Sequence, residues 1–258
     1  MISLSVVIIT LNEEKNIGRC LQAVKSFADE ILVVDSYSTD KTVEIAGQYG
    51  ATVIREPFRG YVEQKNFADA QAKNDWILSI DADEVVSPEL EMSIQKVKRQ
   101  QNFNAYELNR LTSYCGHWIR HCGWYPDKKI RLFNRGKGRW VGEQIHESWQ
   151  PYSSTEITGA INGDLFHYSY NSLSDHLKQI EKFTEIMARR DVNSGKTSSR
   201  LKAVIAAKWK FFQSYIIRLG FLDGYAGFQV CLFSAFATYI KYSKIHQYTK
   251  FKKEGKSF

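Results

Sequence analysis

What most constrains this chain is an alternation repeated through its first hundred residues. Four short, solidly apolar runs, at 5–9, 31–34, 52–54 and 76–80, are separated by segments of helical periodicity. An apolar run without polar alternation suits a strand buried on both faces. After the first run, Asn12 precedes a helical pattern of Ile17, Leu21 and Val24. Glu13 and Glu14 fall in its first turn, where they complement the helix dipole. Thr39 and Asp40 are cap residues for a helix carrying Val43 and Ala46, and residues 61–73 make a third helix. Ser87-Pro88 opens a fourth, with proline at the first helical position and Leu90, Ile94 and Val97 on one face. Strands alternating with helices predict an α/β fold: a Rossmann-like, mostly parallel sheet flanked by helices. Ligands of such sheets bind beyond the carboxyl ends of the strands. The residues to weigh are therefore Thr10-Leu11-Asn12-Glu13, Asp35-Ser36-Tyr37-Ser38 and Asp81-Ala82-Asp83.

From about Asn104 the pattern changes to short strand-like runs, such as 106–108 and 130–133, between Gly-rich and aromatic loops. From Ser172 it becomes helical. Leu173, Leu177, Ile180, Phe183 and Met187 form one stripe; Leu201, Ile205, Trp209, Phe212 and Ile216 belong to another, interleaved with lysines. The expected organisation is a catalytic domain at 1–170, with halves 1–103 and 104–170, and a basic helical region at 171–258. Those late stripes suit either packing onto the catalytic domain or, with Lys241, Lys244, Lys250, Lys252 and Lys253 nearby, an anionic bilayer surface.

With 43% apolar and 24% charged residues, the chain can bury a core and is not a disordered one. A net charge of +7 favours polyanionic partners without choosing among nucleic acid, phosphorylated glycan and membrane. Four scattered cysteines and an opening without a basic n-region lead to the expectation of a reducing compartment and no secretory signal. The charge-free stretch 224–240 is short for a spanning helix and holds Gln229, so peripheral contact is expected over spanning. Cys115, His117, His121 and Cys122 match none of the common zinc spacings.

Asp81-Ala82-Asp83 carries the sharpest chemistry. Alternate carboxylates leaving a strand can face one metal ion, and Mg²⁺ or Mn²⁺ shares oxygen ligands with substrate phosphates. The bland reading is a solvated acidic turn. Asp35 suits either a hydrogen bond to a base or ribose, or a turn cap.

Together these residues resemble a known family. The stretches from Val6 to Glu13, Val33 to Ser36 with Ser38-Thr39-Asp40, Gln64-Lys65-Asn66, and Ile80 to Glu84 are similar in order and spacing to the family 2 glycosyltransferases. The resemblance implies a GT-A fold, a nucleotide-sugar donor, a divalent cation and inversion at the anomeric carbon. Trp124-Tyr125-Pro126, Arg131-Leu132-Phe133, Gly142 to Glu147 and Gly220 to Gly224 resemble a narrower group, the lipopolysaccharide inner-core β-1,4-glucosyltransferases. That likeness implies UDP-glucose as donor, a core heptose as acceptor, and peripheral attachment to the inner face of the bacterial inner membrane. Carried over by position, Thr10, Asn12, Glu13 and Asp35 line the nucleotide pocket and Lys65 approaches the diphosphate or base. Asp81 contacts ribose or the metal, and Asp83 ligates the metal. Glu147 is preferred as the base, with Glu143 as the alternative; His146, Arg131 and His167 lie on the acceptor or diphosphate side.

Other acceptors (polyprenyl phosphate, capsule or protein) stay open at this level. A nucleotidyltransferase would carry a Gly-rich basic loop after the first strand, where this chain has Thr10-Leu11-Asn12-Glu13. A nucleic-acid binder would not place acidic residues at three strand ends, where they repel phosphate.

Overall fold

The computed structural model describes residues 1–142, 147–153 and 158–256. Its doubly buried centre is the apolar run β1 (Leu4–Thr10), parallel on one side to β2 (Glu30–Asp35) and on the other to β4 (Trp76–Asp81). β3 (Thr52–Arg55) extends the parallel edge beyond β2. Between these strands run α1 (Ile17–Val24), α2 (Thr42–Gln48) and α3 (Tyr61–Gln71). α1 buries Ile17, Cys20, Leu21 and Val24, four residues at helical spacing, against one face of the sheet.

After β4 come a short strand β5 (Glu84–Val86) and α4 (Pro88–Arg99). Ser87 caps α4: its Oγ accepts from Leu90 N at 3.2 Å and from Asp164 N at 3.1 Å. The chain crosses this helix start closely at Gly163, whose φ is +96° and where a Cβ would collide with the Leu90 backbone. The antiparallel part of the sheet consists of β6 (Ala105–Tyr114), β8 (Asp127–Asn134) and β11 (Thr158–Tyr170), with a short β7 (His117–Trp118) on β6. Among the described residues the order is β3-β2-β1-β4-β8-β6-β11-β5, so β4 is the junction between parallel and antiparallel halves. β9 (Gly138–Val141) and β10 (Ser148–Pro151) form a separate ribbon. The expected α/β architecture, a mostly parallel first half with helices on its faces and a helical C-terminal region, is what the chain adopts.

The chain divides into two compact units: Met1–Leu111 with Asp127–Tyr168, and Thr112–Pro126 with everything from Ser169 onward. In the second, α5 (Leu173–Asn193), α6 (Arg200–Phe212) and α7 (Gly224–Lys253) follow in order. Residues 112–126 group with these helices because Ile119 and Cys122 share a core with Val230 and Cys231. This joins a loop to a helix a hundred residues away. His121 is likewise tied here, its Nδ1 2.7 Å from Asp223 Oδ1.

Candidate active site

The loops leaving β1 and β2 are stitched together by side chains. Asn12 N donates to Ser38 Oγ at 2.8 Å, and Asn12 Oδ1 accepts from Thr39 N at 2.8 Å. Glu13 N donates to Thr42 Oγ1 at 2.8 Å, and Glu14 N to Asp40 Oδ2 at 3.1 Å. Asn12 holds a positive φ of 55° inside this network, a conformation asparagine tolerates better than most residues. Asp35 is fully buried: Oδ2 accepts from Ser38 N at 2.9 Å and Oδ1 from Ser38 Oγ. Asp35 therefore shapes its own turn. Burial raises the pKa of the Glu13 carboxyl, against the hydrogen bond donated by Asn16. Thr10 Oγ1 is buried without a hydrogen-bond partner, so the end of the central strand keeps an unused polar atom.

The end of β4 is a dense charge cluster. Asp81 Oδ1 lies 3.0 Å from Lys65 Nζ, and Asp81 Oδ2 lies 2.9 Å from Arg131 Nη2. Burial opposes the charge of Asp81, but Lys65 and then Arg131 outweigh it and hold the carboxyl far below the usual carboxylate range. Lys65 on α3 is 1% exposed and Arg131 on β8 is 3% exposed, so Asp81 is what makes their charges tolerable. Glu84, fully buried, completes the cluster. It accepts from Asp81 N at 2.9 Å, and its other oxygen lies 3.2 Å from Arg131 Nη2 and 3.3 Å from Arg110 Nη1. Neither Glu84 nor Arg110 was assigned a role from the sequence. The one available sign was a further acid immediately after Asp-Ala-Asp, where the apolar pattern resumes.

Asp83 is differently placed. Its Oδ2 lies 3.2 Å from His167 Nε2, brought there because β11 pairs with β5 and sets His167 opposite Glu84. The two aspartates expected at a metal are thus not equivalent: both oxygens of Asp81 face cations, and Asp83 stands with an imidazole. Among the described residues no group of three or more His, Cys, Asp or Glu side chains is arranged to hold a metal ion. The Asp83–His167 pair nevertheless suits a Mg²⁺ or Mn²⁺ ion that takes few protein ligands and completes its shell with phosphate oxygens and water.

Lys65 also reaches Glu147, whose Oε1 lies 3.5 Å from Nζ. Glu147 lines a cavity of about 300 Å³ together with Arg110, Arg131, Lys128, Trp140 and Trp149. Nε and Nη1 of Arg131 have no hydrogen-bond partner although buried. Glu143 and His146 lie outside the described residues.

Trp140 covers the cluster, with Lys65 Nζ 4.7 Å from its ring centroid and its Nε1 donating to Asp69 Oδ2 at 2.8 Å. Burial pushes the Asp69 carboxyl up to about 7, against the opposing pull of Trp140 and Lys65. The folded state thus holds this proton more tightly than the unfolded chain. The associated stability is complete below roughly pH 4 and is lost as pH rises through about 7. Asp69→Asn keeps an acceptor for Trp140 without the charge. Its melting temperature is expected to exceed that of wild type by several degrees at pH 8 and by much less at pH 4.5. Thermal melts at the two pH values check this, and a difference independent of pH would contradict it.

Comparison with known proteins agrees with this geometry. The family model described as glycosyl transferase family 2 matches residues 5–107, which include Thr10, Asn12, Glu13, Asp35, Lys65, Asp81 and Asp83. An uncharacterised glycosyltransferase of Rickettsia typhi is 34% identical over 256 residues, covering 96% of this chain and 88% of that protein. The lipopolysaccharide core biosynthesis glycosyltransferase LpsC of Rhizobium meliloti is 29% identical over 256 residues, covering 95% of this chain and 92% of its own. The crystal structure of glucosyl-3-phosphoglycerate synthase from Mycobacterium tuberculosis, with Mn²⁺, uridine diphosphate and glucosyl-3-phosphoglycerate, is 25% identical with a TM-score of 0.36 over 44% of each chain. Near-full-length identity to a glycosyltransferase, together with the family match across the acidic strand ends, settles membership: the chain is a GT-A-fold enzyme of glycosyltransferase family 2.

Proposed function

We propose that the chain transfers a hexose, specifically glucose, from a UDP-sugar to a heptose of the lipopolysaccharide core, with inversion and with Mg²⁺ or Mn²⁺ as cofactor. The observation that carries the reading is the juxtaposition at the end of β4. Lys65 and Arg131 hold Asp81, Lys65 also reaches Glu147, and two residues on from Asp81 the Asp83 carboxylate meets His167. Thr10, Asn12, Glu13 and Asp35 build the nucleotide pocket, in which the unpartnered Thr10 hydroxyl awaits a polar group. Asp83 and His167 would hold the cation, which supplies positive charge against the diphosphate leaving group. Lys65 and Arg131 keep Asp81 ionised and fixed. The cavity beside Glu147 receives the acceptor, whose hydroxyl gives its proton to Glu147 as it attacks.

Similarity to the core glycosyltransferase LpsC supports the acceptor class. Such an acceptor would be lipid-linked, and the reading therefore includes work at the cytoplasmic leaflet as a peripheral protein. The test is a donor screen with purified protein and Mn²⁺ or Mg²⁺, reading UDP release with and without heptose-containing core acceptor. The expected result is acceptor-stimulated release from UDP-glucose above other donors. Release that no core acceptor stimulates would overturn the acceptor assignment.

A further inference from the structure

The second compact unit leaves an unusual amount of apolar surface in water. On α6, Leu201, Ile205, Trp209 and Phe212 are all exposed, and their spacing places them along one face; Ile216 is exposed in the wider helical turn that follows. On α7, Tyr225, Phe228, Leu232, Phe236 and Tyr239 form a second exposed stripe at helical spacing. The two helices meet at an elbow where Leu219, Phe221 and Leu222 are exposed as well. Scattered apolar residues at a surface need no explanation, but a continuous series of this length marks an interaction site.

The elbow is a built feature. Leu219 and Gly224 hold positive φ values of 55° and 61°, which end one helix and start the next. A Cβ on Gly227 would collide with the Gly220 carbonyl, so the first turn of α7 packs directly on the elbow. No single described helix is long and apolar enough to cross a membrane. The stretches Arg200–Ile217 and Gly220–Lys253 meet the length and composition test only as a pair, and they are bent by 73° at the break.

Charge identifies what covers this surface. Residues 200–253 carry ten Lys and Arg against one acid, Asp223. Asp223 is itself engaged by His121. A second copy of this chain would bring the same positive charge to the contact and be repelled. Lys244 already pairs with Glu181 and Glu185, and Lys250 with Glu254, but a neutral protein face would leave the remaining lysines without counter-charge. An anionic bilayer satisfies both demands: its acyl region takes the stripes, and its headgroups take lysines that extend from them.

We propose that the α6–elbow–α7 surface is a monotopic membrane-docking wedge, lying in the interface of an anionic bilayer with Leu219, Phe221 and Leu222 at its leading edge. The inference deepens the membrane part of the preceding section by naming the element and the lipid charge, and it does not depend on donor or acceptor identity. The experiment is flotation of the purified full-length chain with vesicles of pure phosphatidylcholine or of phosphatidylcholine with phosphatidylglycerol. Wild type is compared with Ile205→Ser/Trp209→Ser/Phe212→Ser and with Phe221→Ser/Leu222→Ser. All five positions are exposed, so melting temperatures should match wild type. Wild type is expected to float with the anionic vesicles, each variant to lose at least tenfold in bound fraction, and donor turnover in vesicle-free solution to stay unchanged. Equal flotation of wild type and variants, or none by wild type, would overturn the proposal. So would a dimer of wild type in solution that the serine variants dissolve. Loss of donor turnover in every form, with flotation intact, would instead count against the proposed activity.

Discussion

Asp83→Ala is expected to lose at least 10²–10³-fold in turnover, on the order seen when one preorganised charge-stabilising group is removed, while remaining folded. The two halves of that expectation have separate reasons. Asp83 contributes to the fold through its backbone, whose carbonyl accepts from Tyr168 N at 3.0 Å, and alanine keeps that bond. Its side chain meets His167 at 3.2 Å in the cluster where the cation is proposed. Removing the carboxylate leaves one of two proposed ligands and no anion. Turnover with added Mn²⁺, with chelator, and thermal melting of both proteins check this. A variant near wild type in rate, or a wild type indifferent to chelation, would contradict the metal assignment.

Glu147→Gln is expected to bind donor and cation normally yet transfer on the order of 10²–10⁴-fold more slowly, the usual scale of general-base catalysis. Glutamine keeps the reach and hydrogen-bonding capacity of the side chain and removes its ability to take a proton. The ion pair lost is a loose one, 3.5 Å to Lys65, whereas Lys65 keeps its closer contact of 3.0 Å with Asp81. The charge cluster at the end of β4 should therefore survive. Glu143→Gln should be milder. Single-turnover transfer by both variants, with UDP affinity measured in parallel, separates the roles. A dead Glu143→Gln beside an active Glu147→Gln would exchange them.

Legibility in the sequence followed the physics of each element. β1, β2 and β4 were readable because a strand buried on both faces must be apolar throughout, and their carboxyl ends then pointed to the loops that matter. Ser87-Pro88 was readable because capping is local, and Ser87 does accept from Leu90 N. α3 was harder. The face it buries includes Gln64, Lys65 and Asp69, so its inward side is polar and the helical pattern conceals it; Lys65 was picked out by resemblance alone. Glu84 and Arg110 escaped because their importance lies in pairs formed across the sheet, with Arg131 arriving from β8. The grouping of residues 112–126 with the C-terminal helices rests on Ile119 and Cys122 meeting Val230 and Cys231, a contact no local pattern encodes. The stripe on α6 was visible, but two readings were open for it, packing or a bilayer. The structure leaves that face exposed.

The most direct test of the account is the anomeric configuration of the product made by wild type from α-linked UDP-glucose and a heptose-containing core acceptor, read from the anomeric proton by NMR. Attack by an acceptor hydroxyl from the face opposite the diphosphate, with Glu147 taking the proton, predicts a β-linked glucoside. An α-linked product would contradict it.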